Sequence, residues 1–256
     1  MCELLGLAFN EAVSPGLSFR GFRRRATRNP HGWGLAAIGP RRATITKEPL
    51  NAERSGTSAA IAAGSGLVAP VFIGHVRDAS CGGVALENTH PFTRRIDGRD
   101  FVFAHNGTLD TRRFRTRTPG PFAVDGETDS EAAMCGLLNW MRHEGVSFDD
   151  HARIEEFLAA MNVAGDLNLL FSDGRQLFCY HDQHAYNGLC WTHRQPPFGR
   201  ISLRDEDWEA DLGDVKRPTQ QGYVIASRQL TDGEEWTACR PGKLMVFRGG
   251  AVVYGG

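Results

Sequence analysis

Hydrophobic positions along this chain fall into two rhythms. Short apolar runs bounded by Gly, Pro or Asn occupy residues 2–9, 32–38, 71–76 and 101–104. A second set occupies residues 167–171, 176–180, 223–226, 243–247 and 251–254. Runs of this length and punctuation predict β-strands. Asp173-Gly174 separates two of them and Gly249-Gly250 separates the last two, and both pairs read as hairpin turns.

The other rhythm is helical. Met134, Leu137, Leu138 and Met141 recur at i, i+3, i+4 and i+7, and Ile154, Phe157, Leu158 and Met161 do the same. Thr128-Asp129-Ser130-Glu131 opens the first of these helices with capping-box spacing. The Thr side chain is expected to accept an orphan N–H and the Glu to reach back. Residues 59–63 form a weaker third helix. Many strands with a few paired helices predict an α+β fold of antiparallel sheets covered by helices, and argue against a doubly wound parallel sheet.

Composition narrows the function. A hydrophobic fraction of 41% over 256 residues suffices for one sizeable core. The formal net charge of −1 carries no nucleic-acid footprint. Arg20, Arg23, Arg24, Arg25 and Arg28 form the densest basic cluster, read as a solvated helix face, or else as a patch for an anion or partner. No stretch is long and apolar enough to span a membrane, and the N-terminus lacks the basic start of a secretory signal. The six cysteines show no regular spacing and read as reduced thiols of a cytoplasmic protein.

Cys2 is the first candidate for chemistry. A residue this small behind Met1 permits removal of the Met, which would give Cys2 a free α-amine. A thiol with a pKa of ~8.5 is only partly ionised near neutrality, whereas an α-amine of roughly 7.7–8.0 can act as its base. The plain alternative is a small apolar residue starting a strand. Gly74-His75-Val76-Arg77-Asp78-Ala79-Ser80 follows an apolar strand, and Arg77 offers a fork suited to a carboxylate. Asn88-Thr89-His90-Pro91-Phe92 is a polar turn. His105-Asn106-Gly107-Thr108 then places Asn-Gly behind another strand. That pair is either a hairpin turn or an oxyanion hole built from the Asn106 amide and the Gly107 N–H. Asp129 either complements the dipole of its helix or fixes a ligand ammonium. Cys179, His181, His184, Cys190 and His193 crowd together, but no Cys-x2-Cys anchors them, and no metal or cofactor is expected.

Taken in order, these motifs resemble the class II glutamine amidotransferases of the N-terminal nucleophile hydrolase superfamily. Asn29-Pro30-His31-Gly32-Trp33-Gly34, Pro197-Phe198-Gly199 and the stretch from Val224 through Ser227-Arg228-Gln229-Leu230 to Trp236 are similar to the small stand-alone YafJ-like branch. The resemblance covers nearly the whole chain and implies one domain over residues 1–256. It also implies a four-layer αββα sandwich of two antiparallel sheets between helical layers. It gives Cys2 the role of nucleophile with its α-amine as base, and makes Asn106 and Gly107 the oxyanion hole. Arg77 would hold the α-carboxylate of glutamine, Asp129 its α-ammonium, and Ser80 a hydroxyl contact to the substrate. Asp78 and Cys81 depart from the aromatic residue and His of the synthase-fused relatives, which leaves the γ-glutamyl substrate open.

The resemblance implies hydrolysis of glutamine to glutamate and ammonia through a γ-glutamyl thioester. The ammonia acceptor would be a separate synthase, or the enzyme a simple hydrolase. The alternatives are a γ-glutamyl peptide or conjugate as substrate, as in ergothioneine-pathway members of the superfamily, and a catalytically silent γ-glutamyl-binding scaffold. Cys2, Arg77, Asn106, Gly107 and Asp129 together argue against the scaffold, which needs none of them.

Overall fold

A computed structural model describes residues 1–79, 82–114 and 120–255. Its strands are β1 (Glu3–Val13), β2 (Trp33–Ile38), β3 (Ala43–Glu48), β4 (Ala69–Val76), β5 (Phe92–Ile96), β6 (Arg99–Asn106), β7 (Asn168–Ser172), β8 (Leu177–Tyr180), β9 (Cys190–Arg194), β10 (Arg200–Leu203), β11 (Glu209–Asp211), β12 (Gly222–Ala226), β13 (Thr231–Asp232), β14 (Thr237–Ala238), β15 (Leu244–Arg248) and β16 (Ala251–Tyr254). The helices are α1 (Gly16–Arg24), α2 (Gly56–Ala62), α3 (Thr111–Phe114), α4 (Asp129–Glu144), α5 (His151–Asn162) and α6 (Leu212–Val215).

Among the described residues, one sheet runs β14-β9-β12-β1-β4-β2-β3 and another β16-β15-β8-β7-β6-β5, with a small third sheet of β11-β10-β13. All their pairings are antiparallel. Period-2 alternation sorts the side chains into three layers of core. Leu4 and Ala8 of β1 meet Ala104, Leu170, Leu177 and Met245 between the two large sheets. Leu5, Leu7 and Phe9 face the other way, onto Phe19 and Phe22 of α1. Phe103, Phe171 and Tyr180 turn outward from the second sheet onto Met134 and Leu138 of α4 and Leu158 of α5. The order is therefore α1 and α2, sheet, sheet, α4 and α5. Gly6 sits where the sheets pack tightly, since a Cβ there would stand 3.2 Å from Leu170 and Leu177.

Several expectations change. The Thr128 Oγ1 does accept the Glu131 N–H, at 3.1 Å. The Glu131 carboxylate does not close the box on Thr128: it takes the Gly126 N–H at 2.7 Å and pairs with Arg94. The charge-assisted bond to Arg94 draws the carboxylate away from the Thr128 N–H. Arg28 of the basic cluster is exposed, but Arg20, Arg23, Arg24 and Arg25 are not a solvated face. Arg25 is buried against Glu3, and Arg20 and Arg24 share Glu206. Asn106-Gly107 is no hairpin turn, because β6 pairs with β5 and with β7, which follows only after α4 and α5. Both hairpin glycine sites hold: Gly174, Gly249 and Gly250 all have positive φ. No described helix is long and apolar enough to cross a membrane.

Candidate active site

The first β1 pair is Glu3 with Val76 of β4, so Cys2 lies beside the chain leaving β4 at Arg77 and Asp78. The Cys2 Sγ accepts the Asp78 N–H at 3.2 Å and donates to the Asp78 carbonyl at 3.3 Å. The Cys2 carbonyl accepts the Asn187 side-chain amide at 2.9 Å. Burial pushes the thiol up to about 11, against the opposing Asp78 N–H and N-terminal charge. So high a pKa leaves thiolate scarce at neutral pH, and the nucleophile needs a base. The Met1 ammonium is held next door by Asp78 Oδ2 at 2.7 Å and Asn29 Oδ1 at 3.3 Å.

Asn106 closes β6 on the facing sheet. Its Nδ2 lies 3.5 Å from Ser227 Oγ, which accepts the Leu4 N–H at 2.9 Å. The Asn106 Oδ1 is buried with no hydrogen-bond partner among the described residues. The next residue must be glycine. A Cβ on Gly107 would stand 2.1 Å from the Asp166 carbonyl oxygen. His105 locks this turn from behind, with Nε2 3.0 Å from the Asp166 carbonyl and Nδ1 2.9 Å from Ser130 Oγ. A carbonyl can only accept, so Nε2 carries the proton and Nδ1 accepts from the Ser130 hydroxyl. Burial lowers the His105 pKa and favours this neutral ring.

Arg77 is buried, and its guanidinium donates to the carbonyls of Gly83 at 3.0 Å and Gly82 at 3.2 Å. Asp129, the first residue of α4, accepts the Leu109 N–H at 2.7 Å and its neighbour Ser130 N–H at 2.9 Å. Its carboxylate thus ties the start of α4 to the chain leaving Gly107. Ser80 and Cys81 lie outside the described residues.

Cys2, Arg77, Asn106, Gly107 and Asp129 are therefore linked through backbone and side-chain contacts at one end of the two sheets. Four further residues join them. Asn29 and His31 come from the turn before β2, where His31 Nδ1 accepts the Ala79 N–H at 3.0 Å and lies 3.4 Å from Asp78 Oδ1. Asn187 and Ser227 come from loops beside β9 and β12. Three of the four sit inside the motifs beginning at Asn29 and Val224, which sequence reading noticed but assigned no role. Nothing in the sequence marked Asn187. Among the described residues no group of three His, Cys, Asp or Glu is arranged to hold a metal. Cys179 is buried between the sheets, while His193 stacks on Tyr223 with ring centroids 4.4 Å apart.

A family model described as class II glutamine amidotransferases matches residues 1–255. An uncharacterized protein of Methanocaldococcus jannaschii is 37% identical, over 99% of this chain and 71% of its own. The Escherichia coli protein YafJ is 34% identical, over 96% of this chain and 97% of its own. The crystal structure of a predicted glutamine amidotransferase from Pseudomonas aeruginosa superposes with a TM-score of 0.72 at 30% identity, covering 99% of this chain and 100% of that one. Glutamine phosphoribosylpyrophosphate amidotransferase of Bacillus subtilis, at 18% identity, shares the fold alone, with a TM-score of 0.68 over 96% of this chain and 47% of that one. With a cysteine opening β1 and an Asn-Gly turn facing it from the second sheet, the chain belongs to the class II glutamine amidotransferases, enzymes of the N-terminal nucleophile hydrolase fold.

Proposed function

We propose that Cys2, freed of Met1, attacks the side-chain amide of glutamine or of another γ-glutamyl compound. The carbon–sulfur bond forms as the thiol proton passes to the Cys2 α-amine. The tetrahedral oxyanion rests on the Asn106 Nδ2 and the Gly107 N–H. Collapse expels ammonia or an amine, which takes the proton from the α-ammonium, and leaves a γ-glutamyl thioester. Water then releases the acid and restores the thiol. Arg77 takes the substrate α-carboxylate, Asp129 its α-ammonium, and Ser80 a further polar contact. The ammonia passes to a separate synthase or to solvent.

One observation carries this reading: a half-buried thiol with a strongly raised pKa sits one residue from an amine already held by Asp78 and Asn29. Removing Met1 moves the amine one residue, about 3.8 Å along the chain, onto the thiol's own residue. The supporting experiment assays Met-processed protein against glutamine and a panel of γ-glutamyl amides, then labels it with an electrophilic oxo-norleucine. Turnover with a label on Cys2 alone is expected. Turnover with Met1 fully retained, or a label on Cys81 instead, overturns the assignment.

A further inference from the structure

The far end of β1 borders an open cavity of about 630 Å3. It lies roughly 30 Å from Cys2, by the rise of a strand of this length. Its volume is in the range of small-molecule sites. Leu17, Val13, Val68 and Trp208 supply an apolar wall. Arg20, Lys216 and Arg217 also line it, and among the described residues no Asp or Glu does.

The three cations differ in how they are satisfied. Arg20 pairs with Glu206 and lies over the Trp208 ring, and Arg217 pairs with Glu11. The nearby Arg194 is neutralised by Glu234. Lys216 has neither an ion pair nor a hydrogen bond to its ammonium among the described residues. Its Nζ rests over the Phe9 ring, 4.7 Å from the centroid. The Arg194–Glu234 pair acts on it from a distance, the guanidinium repelling and the carboxylate attracting. A half-buried ammonium without a direct ion pair has room for an anion, because burial penalises a charge that is incompletely compensated. That burial lowers its pKa to about 8.

We propose that this cavity binds a small amphipathic carboxylate, its chain against the Leu17–Trp208 wall and its carboxylate on Lys216. Lys216 supplies the charge, and the apolar wall supplies most of the contact area. The site is distinct from the glutamine site in both position and chemistry.

Octanoate, octanol and octylamine, matched in chain length, test this by titration calorimetry on the full protein. Octanoate is expected to bind with a Kd on the order of 0.1–1 mM, at least tenfold more tightly than octanol, with octylamine the weakest. Lys216→Met keeps the aliphatic stem and should weaken octanoate about tenfold while leaving octanol unchanged. Val68 is 59% exposed. Val68→Glu therefore adds an acid at the rim with little risk to folding, and it should weaken octanoate and strengthen octylamine. Both variants should keep wild-type glutamine turnover. Octanoate that binds no better than octanol, or no change in that preference in either variant, overturns the proposal, as does absence of octanoate binding at 10 mM, about tenfold above the expected range.

Discussion

Asn106 and Ser227 are joined across the two sheets: Nδ2 of one lies 3.5 Å from Oγ of the other, and that oxygen also accepts the Leu4 N–H. The contact couples the end of β6 to the strand that carries Cys2. Ser227 has one proton to give, and the buried acceptor lacking a partner is Asn106 Oδ1. Reversing the amide, whose two ends have the same shape, lets the hydroxyl donate to Oδ1 and frees Nδ2 for its proposed role in the oxyanion hole.

Ser227→Ala should therefore lower kcat about tenfold with little change in KM, because it misorients a donor used in the transition state. Asn106→Ala should cost on the order of 10²–10³ in kcat. The double variant should be no worse than Asn106→Ala alone, since both changes remove one function. Steady-state kinetics with glutamine decide this, and additive losses would break the link.

The thiol's raised pKa gives a pH test. Burial stabilises the neutral thiol, so thiolate is lost as pH falls below about 11 whenever Cys2 carries a blocked nitrogen. A form extended by Gly-Ser ahead of Cys2 should react with iodoacetamide only as pH rises toward about 11. The processed enzyme should react near neutrality. Intact-mass time courses from pH 6 to 11 measure both, and equal reactivity at pH 7.5 would exclude the α-amine as base.

Asp129 has a structural duty as well as a proposed binding role, because it holds the Leu109 and Ser130 N–H groups. Asp129→Asn removes the charge but keeps one acceptor. Its KM for glutamine should rise at least tenfold, while hydrolysis of glutaramate, which has no α-amine, should fall far less. Equal losses on both substrates would mean that the carboxylate acts only on the fold.

Three neutral histidines make stability fall in mild acid. His75 and His90 are buried and stack with centroids 4.1 Å apart, and the His90 ring has no hydrogen-bond partner among the described residues. Burial lowers His75 to about 3, His90 well below its usual value, and His105 in the same direction. The unfolded chain binds these protons first, so the stabilisation is complete above pH ~6.5 and declines as pH falls toward the folded values. Each site contributes up to about 1.4 kcal/mol per pH unit. Urea midpoints should drop steeply from pH 6.5 to 5, where carboxylates have scarcely begun to protonate. A flat profile in that window would show that the rings are charged in the folded protein.

Much of the secondary structure was legible because its determinants are local. Short apolar runs specified β1, β4 and β6, Asp173-Gly174 and Gly249-Gly250 specified the hairpin ends, and Thr128 specified the start of α4. Strands β3 and β5 escaped because Ala43–Glu48 and Phe92–Ile96 are edge strands with largely polar, half-exposed faces. The candidate nucleophile, the Asn-Gly turn, Arg77 and Asp129 were legible from their residue types and their order along the chain.

What tertiary structure alone decided is the pairing of distant groups. Ser227 lies 121 residues from Asn106, and Asn187 lies 185 from Cys2. Arg25 turned inward because folding brought Glu3 beside it, and Lys216 came to rest over the Phe9 ring with Glu234 acting on it but forming no direct ion pair. Local sequence sets backbone preference and the burial pattern of each element. Which charge meets which, and which is left alone, depends on how the sheets and loops close together, and no short-range pattern encodes that.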